Sequence, residues 1–298
     1  MDETDVAICR QLIYNSRMSY SELADAVGIS VQSAHRRVQD LVEGGVIHGF
    51  KAAFSLLAHR GIWVLVDGRS EAASLYKVLD RLEPVPGMDM VMVGCEKHLY
   101  ISGVVLDPTK VNKFVSRVSE IAELDRPEVG MVFIPLLKGQ EDPAIYPMDV
   151  RIIEALKDNA RKPVTELARE LGVAPRTVTR HIDRLMREQL VHFSIDFHAE
   201  SSSDLFSALH LRVKKGQDRE KVGVAIVKRL AAREVITYYF GDKPDQMIVV
   251  FWSPSIREID EIVADLERSE VFEDVSPNLI MDVRYYPGGT SAVPKLRT

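Results

Sequence analysis

Residues 19–48 read SYSELADAVGISVQSAHRRVQDLVEGGVIH, and this stretch decides the fold of the N-terminal part of the chain. Ser19 followed by Glu22 is a capping box, in which each side chain accepts a hydrogen bond from the backbone of the other residue. A helix therefore begins at residue 20. It ends at Gly28, because a residue without Cβ readily takes the left-handed conformation that closes a helix.

Another helix follows directly after this turn. Ser30 is its N-cap, and it covers residues 31–43 until a Gly-Gly pair stops it. Upstream, residues 3–14 place apolar side chains on one helical face, and downstream VIHGFKAAF (46–54) forms a strand. Three helices with a tight glycine turn before the third, followed by a strand, predict a winged helix-turn-helix. The third helix of this motif is the one that lies in the DNA major groove.

The chain contains this unit twice. A shift of 144 positions aligns residues 5–48 with residues 149–192 without a gap, and 13 of the 44 aligned pairs are identical. The identical pairs include Arg17/Arg161, Glu22/Glu166, Gly28/Gly172 and His48/His192. A gapless match of this length indicates an internal duplication.

Each copy continues with the predicted order strand–helix–strand–strand–helix–strand, which is the ferredoxin-like, split βαβ motif. The predicted elements are 61–67, 70–83, 88–94, 99–106, 107–118 and 128–135 in the first copy, and 205–213, 218–231, 234–240, 246–252, 254–267 and 275–286 in the second. Residues 136–147, with one Gly and two Pro, form the predicted linker. The expected fold class is α+β, with winged helix-turn-helix domains at 1–54 and 141–198 alternating with ferredoxin-like βαββαβ domains at 55–140 and 199–298.

The composition limits the class of protein. The chain has 298 residues, a formal net charge of −6, 46% hydrophobic and 28% charged residues, which is ordinary for a globular protein. It has no apolar run long enough for a membrane span, and its acidic N-terminus does not resemble a signal peptide. The two cysteines do not indicate a disulfide framework. We expect a cytoplasmic protein without a membrane partner or cofactor, and no common catalytic motif is found.

Three motifs of the first copy carry a family resemblance. They are D-x-x-I-C-x-x-L-I-x-N-S-R at 5–17, S-x-x-E-L-A-x-x-V-G-I-S at 19–30 and R-R-V-x-x-L-V-E-G-G-V-I-x-G-F at 36–50. They resemble the Lrp/AsnC, or feast/famine, transcription regulators, which pair this winged helix with a βαββαβ ligand-sensing domain called RAM. The resemblance implies double-stranded DNA as partner and a small-molecule effector, such as an amino acid or another metabolite. It also implies dimerisation, here through a homo-oligomer or an internal pseudo-dimer in which the two RAM-like domains pair sheet to sheet.

A loop of the RAM-like domains is the predicted effector site. In the family, a turn of the form G-x-x-D between the second and third strands borders this site. The turn reads G-C-E-K-H at 94–98, without an aspartate, and G-D-K-P-D at 241–245, with the aspartate one residue late. The resemblance therefore points to Gly94, His98, Gly241 and Asp245 as effector-binding residues.

The third helix of the second copy has a basic face. At 100° per residue, four arginines lie within about 80° of one another: Arg176, Arg180, Arg184 and Arg187. Alone, such a helix is more often a solvated surface helix, but its place in the motif favours DNA contact. Thr177 and Thr179 add donors near the end where base edges are read, and the C-terminal arginines suit phosphates. The predicted DNA-binding residues of this copy are Arg176, Thr177, Thr179, Arg180 and Arg184.

The third helix of the first copy is less basic. The positions equivalent to the four arginines are Gln32, Arg36, Asp40 and Glu43, so that one basic residue remains there. The predicted DNA-binding residues of this copy are Gln32, Ser33, His35, Arg36 and Arg37. We expect the second winged helix to dominate DNA affinity.

Two other classes of function stay open. One is an enzyme of the siroheme decarboxylase type, which is built from two similar Lrp-like subunits and needs a porphyrin pocket with basic and histidine groups near the domain interface. The other is a partner-binding scaffold that has lost both activities. Two smaller site hypotheses are a weak metal pair, His192 with His198, and a reactive thiol at Cys95 beside Lys97.

Overall fold

The computed structural model describes residues 1–133, 144–202 and 204–286. The first copy begins with α1 (Glu3–Tyr14), α2 (Tyr20–Val27), α3 (Val31–Glu43), the wing strand β1 (Ile47–Phe54) and the short helix α4 (Leu56–His59). The predicted capping box forms, with Ser19 N 2.8 Å from Glu22 Oε2 and Glu22 N 3.2 Å from Ser19 Oγ. Gly28 follows α2 in the left-handed conformation, with φ of 72°. The winged helix-turn-helix is therefore confirmed.

The first βαββαβ unit has the predicted order. Its elements are β2 (Ile62–Ser70), α5 (Leu75–Leu82), β3 (Met88–Gly94), β4 (His98–Val105), α6 (Val111–Ala122) and β5 (Leu124–Phe133). The helix expected from residue 70 begins only at Leu75, because β2 continues to Ser70, whose hydroxyl donates to Ala122 O at 2.6 Å. The strands are antiparallel in the order β3-β4-β2-β5.

The second copy repeats this plan. Its winged helix consists of α7 (Pro147–Leu156), α8 (Val164–Leu171), α9 (Pro175–Arg187) and β6 (Val191–Phe197). Its βαββαβ unit consists of β7 (Leu205–Val213), α10 (Arg219–Leu230), β8 (Glu234–Phe240), β9 (Gln246–Ser253), α11 (Ile256–Arg268) and β10 (Phe272–Tyr285). Residues 136–143 of the predicted linker lie outside the described residues, and its last residue, Pro147, is the first residue of α7.

The two βαββαβ units join into one closed barrel. The second copy has the strand order β8-β9-β7-β10, equivalent to that of the first, and the last strand of each copy pairs with the second strand of the other. One seam joins β5 to β8 at Val132 and Phe240, and the other joins β10 to β3 from Ile280 opposite Gly94 to Tyr285 opposite Met90. The pairing expected sheet to sheet is thus also an edge-to-edge pairing with backbone hydrogen bonds.

Alternation along the strands separates an inner and an outer core. On β2, Leu65 belongs to a core that includes Tyr238 and Trp252 of the second copy, whereas Val64 and Val66 pack with residues of α5 and α6. The corresponding outer core of the second copy lies under α10 and α11. Because successive side chains point to opposite faces of a sheet, the shared core fills the barrel and the helices cover its outside.

The two winged helices are interlocked. Wing strands β1 and β6 pair with each other as a two-stranded antiparallel sheet, and the first helix of each copy packs against the wing of the other. Arg17 donates to the carbonyls of Ala160 and Lys162, and Arg161 donates to the carbonyls of Ser16 and Met18 at 2.9 and 3.0 Å. These identical residues of the repeat therefore cross between the copies. Within the described part of the chain, no helix is long and apolar enough to cross a membrane.

Candidate nucleic-acid interface and barrel interior

Helix α9 presents a basic surface opposite its buried face. Arg176, Arg180 and Arg187 are exposed, as is Thr179, while Thr177 is half-buried. The residues that face the core are Val178, Ile182 and Leu185, each no more than 5% exposed. Pro175 occupies the first turn, where its missing N–H costs no hydrogen bond. Arg176 and Arg180 can therefore reach phosphates or base edges, and Arg187 can do so by leaving an exposed ion pair in which its Nη2 lies 3.7 Å from Glu188 Oε1.

Arg184 does not belong to this exposed surface. Its guanidinium binds Asp149, a carboxylate with no exposed side-chain area, and also donates to Ala144 O at 3.0 Å and Glu188 Oε2 at 2.8 Å. Asp149 additionally contacts His181 Nδ1 at 2.7 Å and accepts from Tyr146 N at 2.7 Å. The projected stripe of four arginines is corrected to three, because Arg184 holds α9 to the start of α7.

Helix α3 exposes fewer basic groups. Gln32, His35 and Arg36 are exposed, and Ser33 is half-buried. Arg37 is the equivalent of His181, and its guanidinium contacts Asp5 at 2.6 Å and Asp2 at 3.0 Å. Arg37 thus holds α3 to α1, and Arg36 is the arginine of this helix that faces solvent. We call α3 and α9, the third helices of the two winged units, the reading helices. Their exposed surfaces differ in charge, as the sequence predicted.

The predicted effector loops lie at the two seams of the barrel. In the first, Cys95 N donates to Asn278 Oδ1 of β10 at 2.8 Å, and a Cβ on Gly94 would lie 2.6 Å from the same oxygen. In the second, Gly241 N donates to Met131 O of β5 at 2.8 Å. The seam contact of that loop is completed by Asp242, which accepts from Met131 N at 2.8 Å.

The predicted aspartate of the second loop, Asp245, is exposed, and its carbonyl accepts from Val213 N at 2.7 Å. In the first loop, Lys97 donates to Ala72 O at 3.0 Å, and Cys95 Sγ lies 3.8 Å from Met281 Sδ. The predicted effector residues are therefore divided between two seams, and the structure does not gather Gly94, His98, Gly241 and Asp245 into one cluster. As effector-binding residues they stay predictions.

A polar cluster lies inside the barrel, and His98 is its one member that the sequence predicted as a site residue. His98 Nε2 lies 3.2 Å from Asp67 Oδ2, and the hydroxyl of Tyr100 lies 2.7 Å from His210 Nε2. Burial lowers the pKa of His210 and raises the pKa of Tyr100, so both are neutral near pH 7. Alternation along β4 places His98 and Tyr100 on one face, but the barrel closure that brings His210 to them has no local sequence signal.

A second polar chain crosses the interior of the first copy. Trp63 Nε1 donates to Ser102 Oγ at 2.6 Å, and Ser102 Oγ donates to Asp89 Oδ2 at 3.0 Å. Burial raises the pKa of Asp89, although the hydrogen bond from Ser102 opposes this. The Trp63 ring also packs against Tyr238 of the second copy, with centroids 5.5 Å apart.

The remaining predicted histidines have separate surroundings. His192 Nε2 lies 3.1 Å from Ile13 O, which matches the interlocking of α1 with the second wing. His198 stacks on His48, with centroids 3.8 Å apart. Among the described residues, the group of His, Cys, Asp and Glu side chains close enough to hold a metal is instead Asp67, His98 and His210.

Comparison with known proteins matches both parts of the repeat. A family described as "Winged helix-turn-helix DNA-binding" matches residues 1–48 and 147–192. The HTH-type transcriptional regulator Ptr1 of Methanocaldococcus jannaschii is 32% identical over 151 residues, which cover 48% of this chain and 99% of that protein. The leucine-responsive regulatory protein of Rhizobium meliloti is 41% identical over 58 residues, covering 20% of this chain and 37% of that protein. The chain belongs to the Lrp/AsnC family of transcription regulators. It contains about two lengths of the single-unit relative.

The fused arrangement also has a structural counterpart. The crystal structure of the siroheme decarboxylase NirDL matches 99% of this chain and 93% of its own, with a TM-score of 0.59 and 14% sequence identity. At this identity the likeness establishes the fold, in which two Lrp-like units are joined through their βαββαβ parts.

Proposed function

We propose that this Lrp/AsnC protein regulates transcription by binding double-stranded DNA mainly through α9. The observation that carries the proposal is the exposed set Arg176, Arg180 and Arg187 on the face opposite the buried core of the helix. Phosphate contacts from such arginines supply affinity, while Thr179 and the N-terminal arginines stand where a reading helix contacts base edges. We assign this role to the cytoplasm.

The interlocked wings favour an asymmetric DNA site. The two reading helices belong to one chain and are joined by the β1–β6 sheet and the crossed arginines, so their relative position is set within the chain. Their exposed residues differ, which favours two unlike half-sites over a palindrome. In this proposal the domains follow the predicted division at residues 54, 140 and 198, and the barrel supplies the dimerisation that single-unit relatives obtain from a second chain. A small-molecule effector would act at the barrel.

The test is selection from random duplex DNA with the full chain, followed by titration of the enriched site. Arg176→Ala with Arg180→Ala is expected to weaken binding about 100-fold, because each contact of this kind contributes on the order of 1–3 kcal/mol. The salt dependence of binding should also flatten, by about one unit of slope for each lost phosphate contact.

The matched control changes the equivalent positions of the first copy. Gln32→Ala with Arg36→Ala removes one exposed cation instead of two and is expected to weaken binding less than about fivefold. Equal losses in the two double variants would contradict the dominance of α9. If selection enriches no DNA, the regulator proposal itself fails.

A second candidate function is an enzyme of the siroheme decarboxylase type. The observation in its favour is the pair of histidines, His98 and His210, that meets between the two sheets with Tyr100 and Asp67. The exposed arginines of α9 have no role in such an enzyme. Absorption spectra of the chain with added haem or siroheme separate the candidates: a tetrapyrrole bound at one per chain and lost on His210→Ala favours the enzyme.

A further inference from the structure

The two copies are related in the barrel by a pseudo-twofold arrangement, and one polar cluster lies where equivalent strands face each other. Asp67 pairs in register with Tyr100 and Glu128, and His210 pairs in register with Ile248 and Ser276. Because β4 and β5 of the first copy correspond to β9 and β10 of the second, Asp67 on β2 and His210 on β7 are equivalent positions. The strands β2 and β7 lie on opposite sides of the barrel in its strand order. Their side chains approach each other across the centre.

The third member of the cluster comes from the first copy alone. His98 stands opposite Arg69 on β2, and the equivalent position opposite Arg212 on β7 is Gln246. The cluster thus contains one carboxylate and two imidazoles, from three strands and both copies. Symmetry does not produce a second cluster, because Asp67 and His210 already belong to the first one. The residue equivalent to His98 is Gln246, whose side chain is an amide.

The distances suit a metal ion. The ligand atoms of Asp67, His98 and His210 all lie within 4.8 Å of one another, and the Asp67–His98 pair is at 3.2 Å. Ligands of a tetrahedral ion, each about 2.0–2.1 Å from the metal, are separated by roughly 3.4 Å, so the cluster needs a contraction of little more than about 1 Å. The Asp67 and His98 side chains are only 13% and 24% exposed, which limits competition from water.

We propose that Asp67, His98 and His210 bind one divalent transition-metal ion per chain and that this ion joins the two βαββαβ units. Two imidazoles with one carboxylate is a donor set that suits Zn²⁺, Fe²⁺ or Co²⁺ more than Mg²⁺ or Ca²⁺, whose ligands are oxygen atoms. Tyr100 acts as a positioning residue, because its hydroxyl holds His210 Nε2 at 2.7 Å and so fixes the orientation of the ring.

The test uses the full chain without a histidine tag, stripped of metal by a chelator, and titrated with Co²⁺ while the visible spectrum is recorded. A four- or five-coordinate site gives strong d–d absorption that Co²⁺ in water lacks, and it is expected to saturate at one ion per chain. Zn²⁺ should displace Co²⁺ and raise the Tm. Because DNA is absent from the assay, its failure is separate from failure of the regulator proposal.

Variants locate the site. His210→Ala is expected to lower the Co²⁺ affinity by about 100-fold or more, and Tyr100→Phe by about 10-fold, the lower end for residues that orient a ligand. His98→Gln introduces the residue that the second copy has at this position, so the strand should still form, and it should also abolish the strong absorption. His35→Ala on the exposed face of α3 is the matched control, and it should leave the binding of Co²⁺ unchanged. Saturation that survives His210→Ala and His98→Gln, absence of binding by the unaltered chain, or binding of haem but of no free ion each overturns the proposal.

Discussion

The two copies of the repeat have diverged in opposite directions at their two working surfaces. On the reading helices, the second copy exposes Arg176, Arg180 and Arg187, whereas the first exposes Arg36. Inside the barrel, one buried chain of hydrogen-bonded polar residues belongs to the first copy alone. Its Trp63, Ser102 and Asp89 form a hydrogen-bonded chain, and the equivalent residues of the second copy are Phe206, Val250 and Val235, all buried and apolar.

This difference shows what duplication within one chain permits. In a homodimer, each substitution appears on both sides of the axis, so a charged reading helix and a polar interior are both doubled. In a fused pair, each copy is free to keep one feature. The barrel and the interlocked wings, which need both copies, remain nearly symmetric, as the crossed Arg17 and Arg161 illustrate.

The largest expected effect concerns the ion pairs that join the first helix to the third helix in each winged unit. Asp149→Asn removes a fully buried charge from between Arg184 and His181 and should lower the free energy of unfolding by about 3–5 kcal/mol. Asp5→Asn removes the equivalent charge, but its partner Arg37 is 25% exposed, so the loss should be about 1 kcal/mol or less. Urea denaturation followed by far-UV circular dichroism measures both.

Arg37 retains Asp2 as a partner in the Asp5→Asn variant, which further reduces the expected loss in the first copy. Equal shifts of the denaturation midpoint in the two variants would show that the two sets of ion pairs contribute equally to stability. The difference in their burial would then have no consequence for stability.

An intermediate effect is expected from making the interior of the first copy resemble that of the second. Ser102→Val leaves Trp63 Nε1 and the Asp89 carboxyl without their partner and should cost about 1–3 kcal/mol. The triple variant Trp63→Phe, Asp89→Val, Ser102→Val removes every member of the chain and should recover most of that loss, because no polar side chain of this hydrogen-bonded chain is left unpaired. Denaturation midpoints of the single and triple variants decide the matter.

Asp89 also gives this comparison a dependence on pH. Since burial raises its pKa in the folded protein, the carboxyl stabilises the fold relative to an uncharged residue most fully below its unfolded pKa. That contribution is lost as the pH rises through the raised folded value. The stability difference between the native chain and Asp89→Asn should therefore fall from acidic to neutral pH. A difference independent of pH would mean that Asp89 is not a buried carboxyl.

Local signals predicted the three helices of the first winged helix-turn-helix to the residue. The capping box at Ser19, the left-handed Gly28 and the cap at Ser30 act over three or four positions and set the bounds of α2 and the start of α3. The apolar face of residues 3–14 predicted α1, and the Gly-Gly pair predicted the end of α3. The order of the βαββαβ elements followed from the same kind of evidence, and β7 and β8 have the predicted bounds.

Contacts between residues that are far apart in the sequence could not be predicted from local signals. The alignment shows that Arg17 and Arg161 are identical, but either could have bonded within its own copy. Arg184 lies on the basic face by projection, yet its partner Asp149 is 35 positions away and buried. The cluster of His98 and His210 depends on barrel closure over 112 positions, the difference between their residue numbers. Such contacts arise from tertiary packing that no short motif specifies.

The smallest expected effect tests a feature that has not diverged. Gly28 and Gly172 end the second helix of each winged unit with φ of 72° and 68°, and a Cβ at either position would meet no heavy atom within 4 Å. Substitution by alanine therefore costs only the strain of a left-handed residue, about 1 kcal/mol at each site. Thermal denaturation of Gly28→Ala and Gly172→Ala should give equal decreases in Tm. A clearly larger decrease at Gly172 would place the divergence of the copies in the turn itself and not only in the exposed faces of α3 and α9.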